Sequence, residues 1–372
     1  MKTSRLTERK ILVTGGAGFI GSNFVNYLFK KYSQCKILLL DALTYAGNLD
    51  NLYLEMKKDS RFQFYHGNIT QADIVKELVS KSNIVIHFAA ESHVTRSIYD
   101  NTLFFETDVL GTQTIANAIV NQSVELFIHI SSSEVYGTAI RDPMDEEHPL
   151  NPLSPYAAAK AGADRLVYSY RHTYDIPAVI VRPFNNYGPY QHIEKAIPNF
   201  IISALQDQPV TIHGKGLSSR DWLYVDDTCI ALDKLLQTGK EKILGEAFNL
   251  GTGIDTNILT IAKMILNLLN KPEDLIHYVP DRLGQVSRHI SSTEKINKKY
   301  FGIPVINNDQ KLKNMSVDET EIFVAISNPN QNQKIDKNFK KRFKECKNIR
   351  DCTEIMSSYL NLRYRNVPKP HV

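Results

Sequence analysis

Ile11-Leu12-Val13-Thr14-Gly15-Gly16-Ala17-Gly18-Phe19-Ile20-Gly21 is the stretch that decides the fold. A short apolar, β-prone run leads into glycines spaced three apart at Gly15, Gly18 and Gly21. An apolar helical pattern then runs through Phe24, Val25, Leu28 and Phe29. Strand, glycine turn and helix in that order are the context of a dinucleotide site. Such a turn aims backbone N–H groups and a helix N-terminus at a pyrophosphate. A second apolar run, Lys36 to Leu40, ends at Asp41, twenty residues beyond Gly21. A carboxylate there accepts hydrogen bonds from a ribose diol and repels a 2′-phosphate, which favours NAD over NADP. A tight turn in some other α/β protein would explain the glycines but not the acid.

Working outward, apolar strand-like runs recur at 11–14, 36–40, 62–65, 83–88, 124–130 and 178–182. Helical patterns lie between them, including Thr112 to Val120 and Tyr156 to Tyr174. This alternation predicts βαβ units and an α/β, Rossmann-type, doubly wound parallel sheet. Sites then belong at the carboxyl ends of the strands. Gly15, Asp41, Ala89 to Ser92, Ser131 to Glu134, and Asn185-Asn186 all fall there. After Arg182 the pattern loosens around Pro183, Pro189 and Pro198. A helix near Ile197 to Gln206 and a strand at Val210 to Gly214 predict a smaller α/β lobe over a substrate. Arg220 to Val225 and Ala247 to Gly251 read as strands returning to the main sheet. The domain reading is 1–182 for the dinucleotide-binding unit, 183–302 mainly for the substrate-binding lobe, and 303–372 for a divergent basic segment.

Tyr156-Ala157-Ala158-Ala159-Lys160 follows Ser131-Ser132-Ser133-Glu134-Val135-Tyr136-Gly137 by about twenty residues. A tyrosine and a lysine four apart on a helix share a face. The cation is expected to lower the phenol's pKa by favouring its ionised form. That makes Tyr156 a base for a substrate hydroxyl near neutral pH, with a serine hydroxyl in the same proton network. Alone, the pair also fits a surface helix.

The chain has 372 residues, 42% hydrophobic and 23% charged, and 44 basic residues against 40 acidic give a net charge of +4. This is ordinary for a globular protein and gives no push toward nucleic acid or membrane. Cys35, Cys229, Cys346 and Cys352 show no metal-ligand spacing and read as free thiols of a reducing compartment. The polar start, Met1 to Lys10, reads as no signal peptide, and no apolar run approaches a membrane span. A cytoplasmic protein is expected. Eight basic residues against two acids between Lys334 and Arg350 fit either a phosphate-binding patch or a solvated helix face, and the second reading is preferred.

Taken together, these motifs resemble the extended short-chain dehydrogenases/reductases, and within them the nucleotide-sugar 4,6-dehydratases, most closely those acting on dTDP-glucose. The resemblance covers about residues 8–300. Its narrower signals are Leu43-Thr44-Tyr45-Ala46-Gly47-Asn48, Asn185-Asn186-Tyr187-Gly188-Pro189-Tyr190 with Glu194-Lys195, Gly214-Lys215-Gly216 and Arg220-Asp221-Trp222. It implies an NAD-dependent lyase. Tyr156 would deprotonate the 4-hydroxyl, with Lys160 and Ser132 in support. Glu134 would remove the C5 proton acidified by the new ketone, and water would leave from C6. The product is a 4-keto-6-deoxy sugar.

Matched position by position, the resemblance places Gly15, Gly18, Phe19, Ile20 and Gly21 on the pyrophosphate. Asp41, Leu43, Thr44, Asn68 and Ile69 would meet the adenosine half. Ala89, Ala90, Thr107, Tyr156, Lys160 and Asn186 would hold the nicotinamide half. Ser92, Ser132, Asn185, Lys195, Arg220, Asn249 and Arg282 would hold the sugar nucleotide, the cations on its diphosphate. A homodimer is implied, pairing helices near 100–120 and 156–174.

Three departures stand out. Ser132-Ser133-Glu134 replaces the family's Thr-Asp-Glu, so Ser133 removes the acid expected to protonate the departing hydroxyl. Asn68 replaces an aspartate at the adenine. The family's C-terminal pattern is not evident after about residue 302. UDP-glucose or another nucleotide sugar, a UDP-glucuronate decarboxylase, a 4-epimerase and a non-enzymatic NAD-binding scaffold remain as alternatives.

Overall fold

The structure is a computed structural model in which residues 6–296 are described. Cys346, Cys352 and the basic segment 303–372 lie outside the described residues. The elements run β1 (Lys10–Thr14), α1 (Phe19–Lys31), β2 (Lys36–Asp41), β3 (Phe62–His66), α2 (Ala72–Ser80), β4 (Ile84–His87), α3 (Val94–Tyr99) and α4 (Thr102–Phe104). A π-helical segment, Phe105–Gly111, leads into α5 (Thr112–Ile119), then β5 (Leu126–Ile130), α6 (Pro155–Tyr174) and β6 (Ala178–Pro183). The rest comprises β7 (Asn185–Tyr187), α7 (Ala196–Leu205), β8 (Val210–His213), β9 (Ser219–Tyr224), α8 (Val225–Gln237), β10 (Ala247–Leu250), β11 (Asp255–Asn257), a helix at Ile258–Leu268 and β12 (Ile276–Val279).

Seven strands form one sheet in the order β10-β6-β5-β4-β1-β2-β3, and every pairing in it is parallel. The inner strands β1, β4 and β5 are covered on both faces, which is why they read as continuous apolar runs rather than alternating ones. On one face Phe24, Leu28, Leu232 and Leu235 pack from α1 and α8. On the other, Val75, Leu78, Ile115, Ile119 and Val167 pack from α2, α5 and α6. The chain order reverses at β1, which pairs with β2 on one side and β4 on the other. A crevice opens at such a switch point, at the carboxyl ends of the strands.

The smaller lobe has a three-stranded sheet, β11-β9-β7, and a two-stranded one, β12-β8. Phe200, Ile212, Trp222 and Ile265 form its core. Here one expectation is corrected. Arg220 to Tyr224 does not return to the main sheet. It is β9, paired with β7 and β11, because the edge beside β6 is taken by β10. The chain returns through α8, whose apolar face packs on α1. Among the described residues no helix is long and apolar enough to cross a membrane.

Candidate active site

A cleft of ≈ 640 Å³ runs along the carboxyl ends of β1, β2, β4, β5 and β6 and under the smaller lobe. This size suits a bound small molecule. The glycine turn forms its floor. Gly15 has φ +70, and a Cβ there would lie 2.4 Å from the Ala89 nitrogen. A Cβ on Gly21 would lie 2.3 Å from the Gly15 carbonyl oxygen. Gly18 caps α1 without a side-chain hydrogen bond, so the first N–H groups of α1 are left for a ligand. The glycine cradle and this helix start fit a dinucleotide pyrophosphate.

Asp41 ends β2 in the same cleft. Its carboxylate accepts from the Ala17 and Leu43 N–H groups, each at 2.8 Å. Burial raises its pKa, and those backbone donors pull the other way. Phe19, Ile20, Thr44, Asn68, Ile69, Ala89, Ala90 and Thr107 all line the cleft. Leu43 does not. Its φ is +48, and what it contributes is the N–H on Asp41.

Tyr156 and Lys160 sit one turn apart on α6. Ser154 caps that helix, accepting from the Ala157 N–H at 3.2 Å, and Pro155 takes the first turn, a pairing that fixes a helix start. Lys160 donates to the Ile130 carbonyl at 2.8 Å, tying the helix to the end of β5. Burial pulls its pKa down against the charges of Asp108 and Asp164. The expected lowering of the Tyr156 pKa is not what this geometry gives. Tyr156 is buried, and burial pushes the phenol up, opposed chiefly by a hydrogen bond from Ser132. The desolvation of a phenolate, with the nearby acids Asp108 and Glu134, outweighs that hydrogen bond.

Ser132 and Glu134 flank the same space. The Glu134 N–H donates to Ser132 Oγ at 3.1 Å, and Glu134 Oε1 stands 3.9 Å from Arg220 Nε. Burial lowers the pKa of Arg220, and Glu134 raises it. Lys195 is likewise pulled down by burial and donates to the Ser92 carbonyl at 2.8 Å. Arg282 Nε is buried with no hydrogen-bond partner among the described residues. Lys195, Arg220 and Arg282 therefore bring three cationic groups to one cleft, as a diphosphate requires. Asn185, Asn186 and Ser92 line it too, with the Asn186 amide oxygen held by Thr228 Oγ1 at 2.5 Å.

Asn249 is a correction. It is fully buried in β10, with Oδ1 accepting from the Tyr136 hydroxyl at 2.7 Å and Nδ2 donating to the Met144 carbonyl at 3.1 Å. Its polar atoms are used inside the protein, so it is a structural residue.

Sequence reasoning missed several residues. Tyr45 lines the cleft, its ring under the Arg96 guanidinium at 3.9 Å and edge-on to His192 at 5.3 Å. His289 stands behind Ser133 and Glu134. No sequence spacing links it to them, although the dense Arg282 to His289 run was a place to look.

The family model described as GDP-mannose 4,6 dehydratase matches residues 12–301. The "Low-salt glycan biosynthesis protein Agl12" of Haloferax volcanii is 44% identical over 287 residues, 77% of this chain and 90% of that protein. The dTDP-glucose 4,6-dehydratase DesIV of Streptomyces venezuelae, solved with NAD bound, superposes with a TM-score of 0.77 at 37% identity, covering 82% of this chain and 95% of that one. A UDP-glucuronic acid 4-epimerase of Bacillus cereus, in complex with UDP-glucuronic acid and NAD, has a TM-score of 0.77 at 30% identity, covering 85% and 98%. The glycine cradle, the Tyr156–Lys160 turn and these matches lead to one conclusion: the chain belongs to the GDP-mannose 4,6-dehydratase family, nucleotide-sugar dehydratases within the extended short-chain dehydrogenases/reductases.

Proposed function

We propose that this enzyme dehydrates a nucleoside diphosphate hexose, dTDP-glucose foremost, to the 4-keto-6-deoxy sugar. The glycine turn, Asp41, Thr44, Ala89, Ala90 and Thr107, which line the cleft, would hold NAD, which would supply the hydride acceptor for C4 and the donor for C6. Tyr156 takes the 4-hydroxyl proton. It must act as a phenolate, whose formation burial opposes and the Ser132 hydrogen bond favours, and the hydroxyl proton becomes more acidic as C4 turns into a carbonyl. Ser132 supports the phenolate by its hydrogen bond. Lys160 anchors the turn that presents Tyr156. Lys195, Arg220 and Arg282 would hold the diphosphate and Ser92, Asn185 and Asn186 the sugar end.

The observation that carries the reading is Glu134, a carboxylate in the cleft beside Ser132 and Arg220. Dehydration needs a base for the C5 proton, which is acidified once C4 is a ketone. Epimerisation at C4 needs none, so Glu134 favours the dehydratase over the epimerase. The sequence similarity to DesIV supports dTDP-glucose.

The test is to incubate the purified protein separately with dTDP-glucose, UDP-glucose, GDP-mannose and UDP-glucuronate and to weigh the products. Loss of one water from dTDP-glucose, with no net consumption of NAD, is expected. Loss of carbon dioxide from UDP-glucuronate would replace the reading with a decarboxylase. Interconversion without loss of mass would replace it with an epimerase.

A further inference from the structure

Elimination of water needs a proton for the departing oxygen as well as a base for C5. The residue before Glu134 is Ser133, which has no acidic proton to give. It is buried, and its hydroxyl lies 3.4 Å from His289 Nδ1. The other ring nitrogen, Nε2, lies 2.7 Å from the Gly137 carbonyl oxygen. A carbonyl only accepts, so Nε2 carries the hydrogen and Nδ1 is the open lone pair of the neutral ring. That same Nδ1 is 4.0 Å from Glu134 Oε1. One basic nitrogen therefore faces both the C5 base and the hydroxyl beside it. The ring is fully buried, with its edge against Phe184 at 5.9 Å. Burial holds its pKa down to about 4, opposed chiefly by Glu134, so at rest it is neutral and ready to accept.

We infer that His289 relays the proton taken by Glu134 from C5 through Ser133 to the departing C6 oxygen. The inference rests on the dehydratase reading. Glu134 removes the C5 proton and passes it to His289 Nδ1. The imidazolium, braced through Nε2–H on Gly137, gives it to Ser133 Oγ, whose own proton goes to the C6 oxygen. The electron pair left at C5 forms the C5–C6 double bond as the C6–O bond breaks. One water leaves, no proton is gained or lost, and no further reagent is required. His289 reaches the substrate only through its neighbours, so it is a positioning residue, and Glu134 and Ser133 meet the substrate.

The test uses the NAD-loaded enzyme, first with wild type to establish dehydration. Failure of wild type to eliminate water overturns the function reading and the relay with it. With wild type active, His289→Asn keeps a hydrogen-bonding side chain but cannot carry the proton. Elimination is expected to slow on the order of 10²-fold, the usual contribution of a proton donor. Reduced-nicotinamide absorbance should build up during turnover, and C5 should exchange with deuterated water without loss of the C6 hydroxyl. Ser133→Ala, a small change independent of the folding of the His289 variant, should behave alike. Adding Ser133→Asp to the His289 variant supplies a carboxylic acid directly and should restore elimination. Wild-type elimination in His289→Asn or in Ser133→Ala overturns the relay. So does equal slowing of C4 oxidation and elimination, or absence of rescue by Ser133→Asp.

Discussion

Asp164 to asparagine tests the frame that holds the proposed catalytic helix. Asp164 lies one turn beyond Lys160 on α6 and is fully buried. Its two oxygens take Arg182 side-on, Nε to Oδ2 at 2.8 Å and NH2 to Oδ1 at 3.0 Å, and Ser131 Oγ donates to Oδ2 at 2.8 Å. Arg182, in β6, is also buried. Its remaining nitrogen donates to the Tyr136 hydroxyl at 2.8 Å and the Glu146 carbonyl at 3.0 Å. The substitution keeps the shape of residue 164 and removes its charge, leaving a guanidinium in the core without its counter-ion. Breaking a buried pair this way costs about 3–5 kcal/mol.

With an unfolding entropy of about 2 cal/mol/K per residue over roughly 290 folded residues, Tm should fall by about 5–8 °C. Burial would raise the Asp164 pKa, but the hydrogen bonds and charge of Arg182 win and hold it below its ordinary value. A lowered folded-state pKa stabilises the protein above the unfolded value, and that stabilisation is lost as pH falls through the folded one. The gap between wild type and variant should therefore be full at neutral pH and close below about pH 4. Calorimetry across that range is the assay. Adding Arg182→Met removes the orphaned cation and should recover part of the loss. A variant that melts within about 1 °C of wild type, or a gap independent of pH, refutes the reasoning.

Four further outcomes are expected. Gly21→Ala forces a Cβ to within 2.3 Å of the Gly15 carbonyl, so the turn must shift and NAD affinity should fall more than tenfold by calorimetric titration; unchanged affinity would count against the cradle. Tyr156→Phe should lose about 10²–10⁴-fold in turnover while binding NAD as wild type does, as a filter-binding comparison would show. Asp108 has its carboxyl pushed up to about 7 by burial, so its ionisation costs stability above the unfolded value. Asp108→Asn should therefore raise Tm relative to wild type at about pH 8, with the gain vanishing below about pH 4. The homodimer we propose would cover Phe105 and Leu110, both exposed beside α6; Leu110→Glu with Phe105→Glu should sediment as a monomer, and a persistent dimer would exclude this face.

Much of the architecture is readable from the chain because it is local. Ile11 to Gly21 encodes strand, turn and helix within one short stretch. The alternation from residue 11 to 182 then leaves a parallel sheet as the way to bury so many continuous apolar runs. Asp41, Tyr156 and Lys160 were readable for the same reason: each is placed by the element it ends or lies on. Where the reading erred, pairing across long separations decided. Nothing between 220 and 225 says that this strand joins β7 and β11 rather than β6. Asn249 looks available in sequence, and only its burial against Tyr136 and Met144 removes it.

The Tyr156 pKa went astray on a similar ground. Sequence spacing supplies the lysine, but the desolvation that pushes the phenol up comes from everything packed around it. His289 is the largest such case, since it meets Ser133 across more than 150 residues of chain. The sequence by itself determined the fold class, the dinucleotide turn and the tyrosine–lysine turn, because backbone geometry over a few residues is set by neighbours in the chain. Only the tertiary structure decided which polar groups share the cleft and which are consumed in the core. Burial and contact between distant segments exist only once the sheet has closed over them.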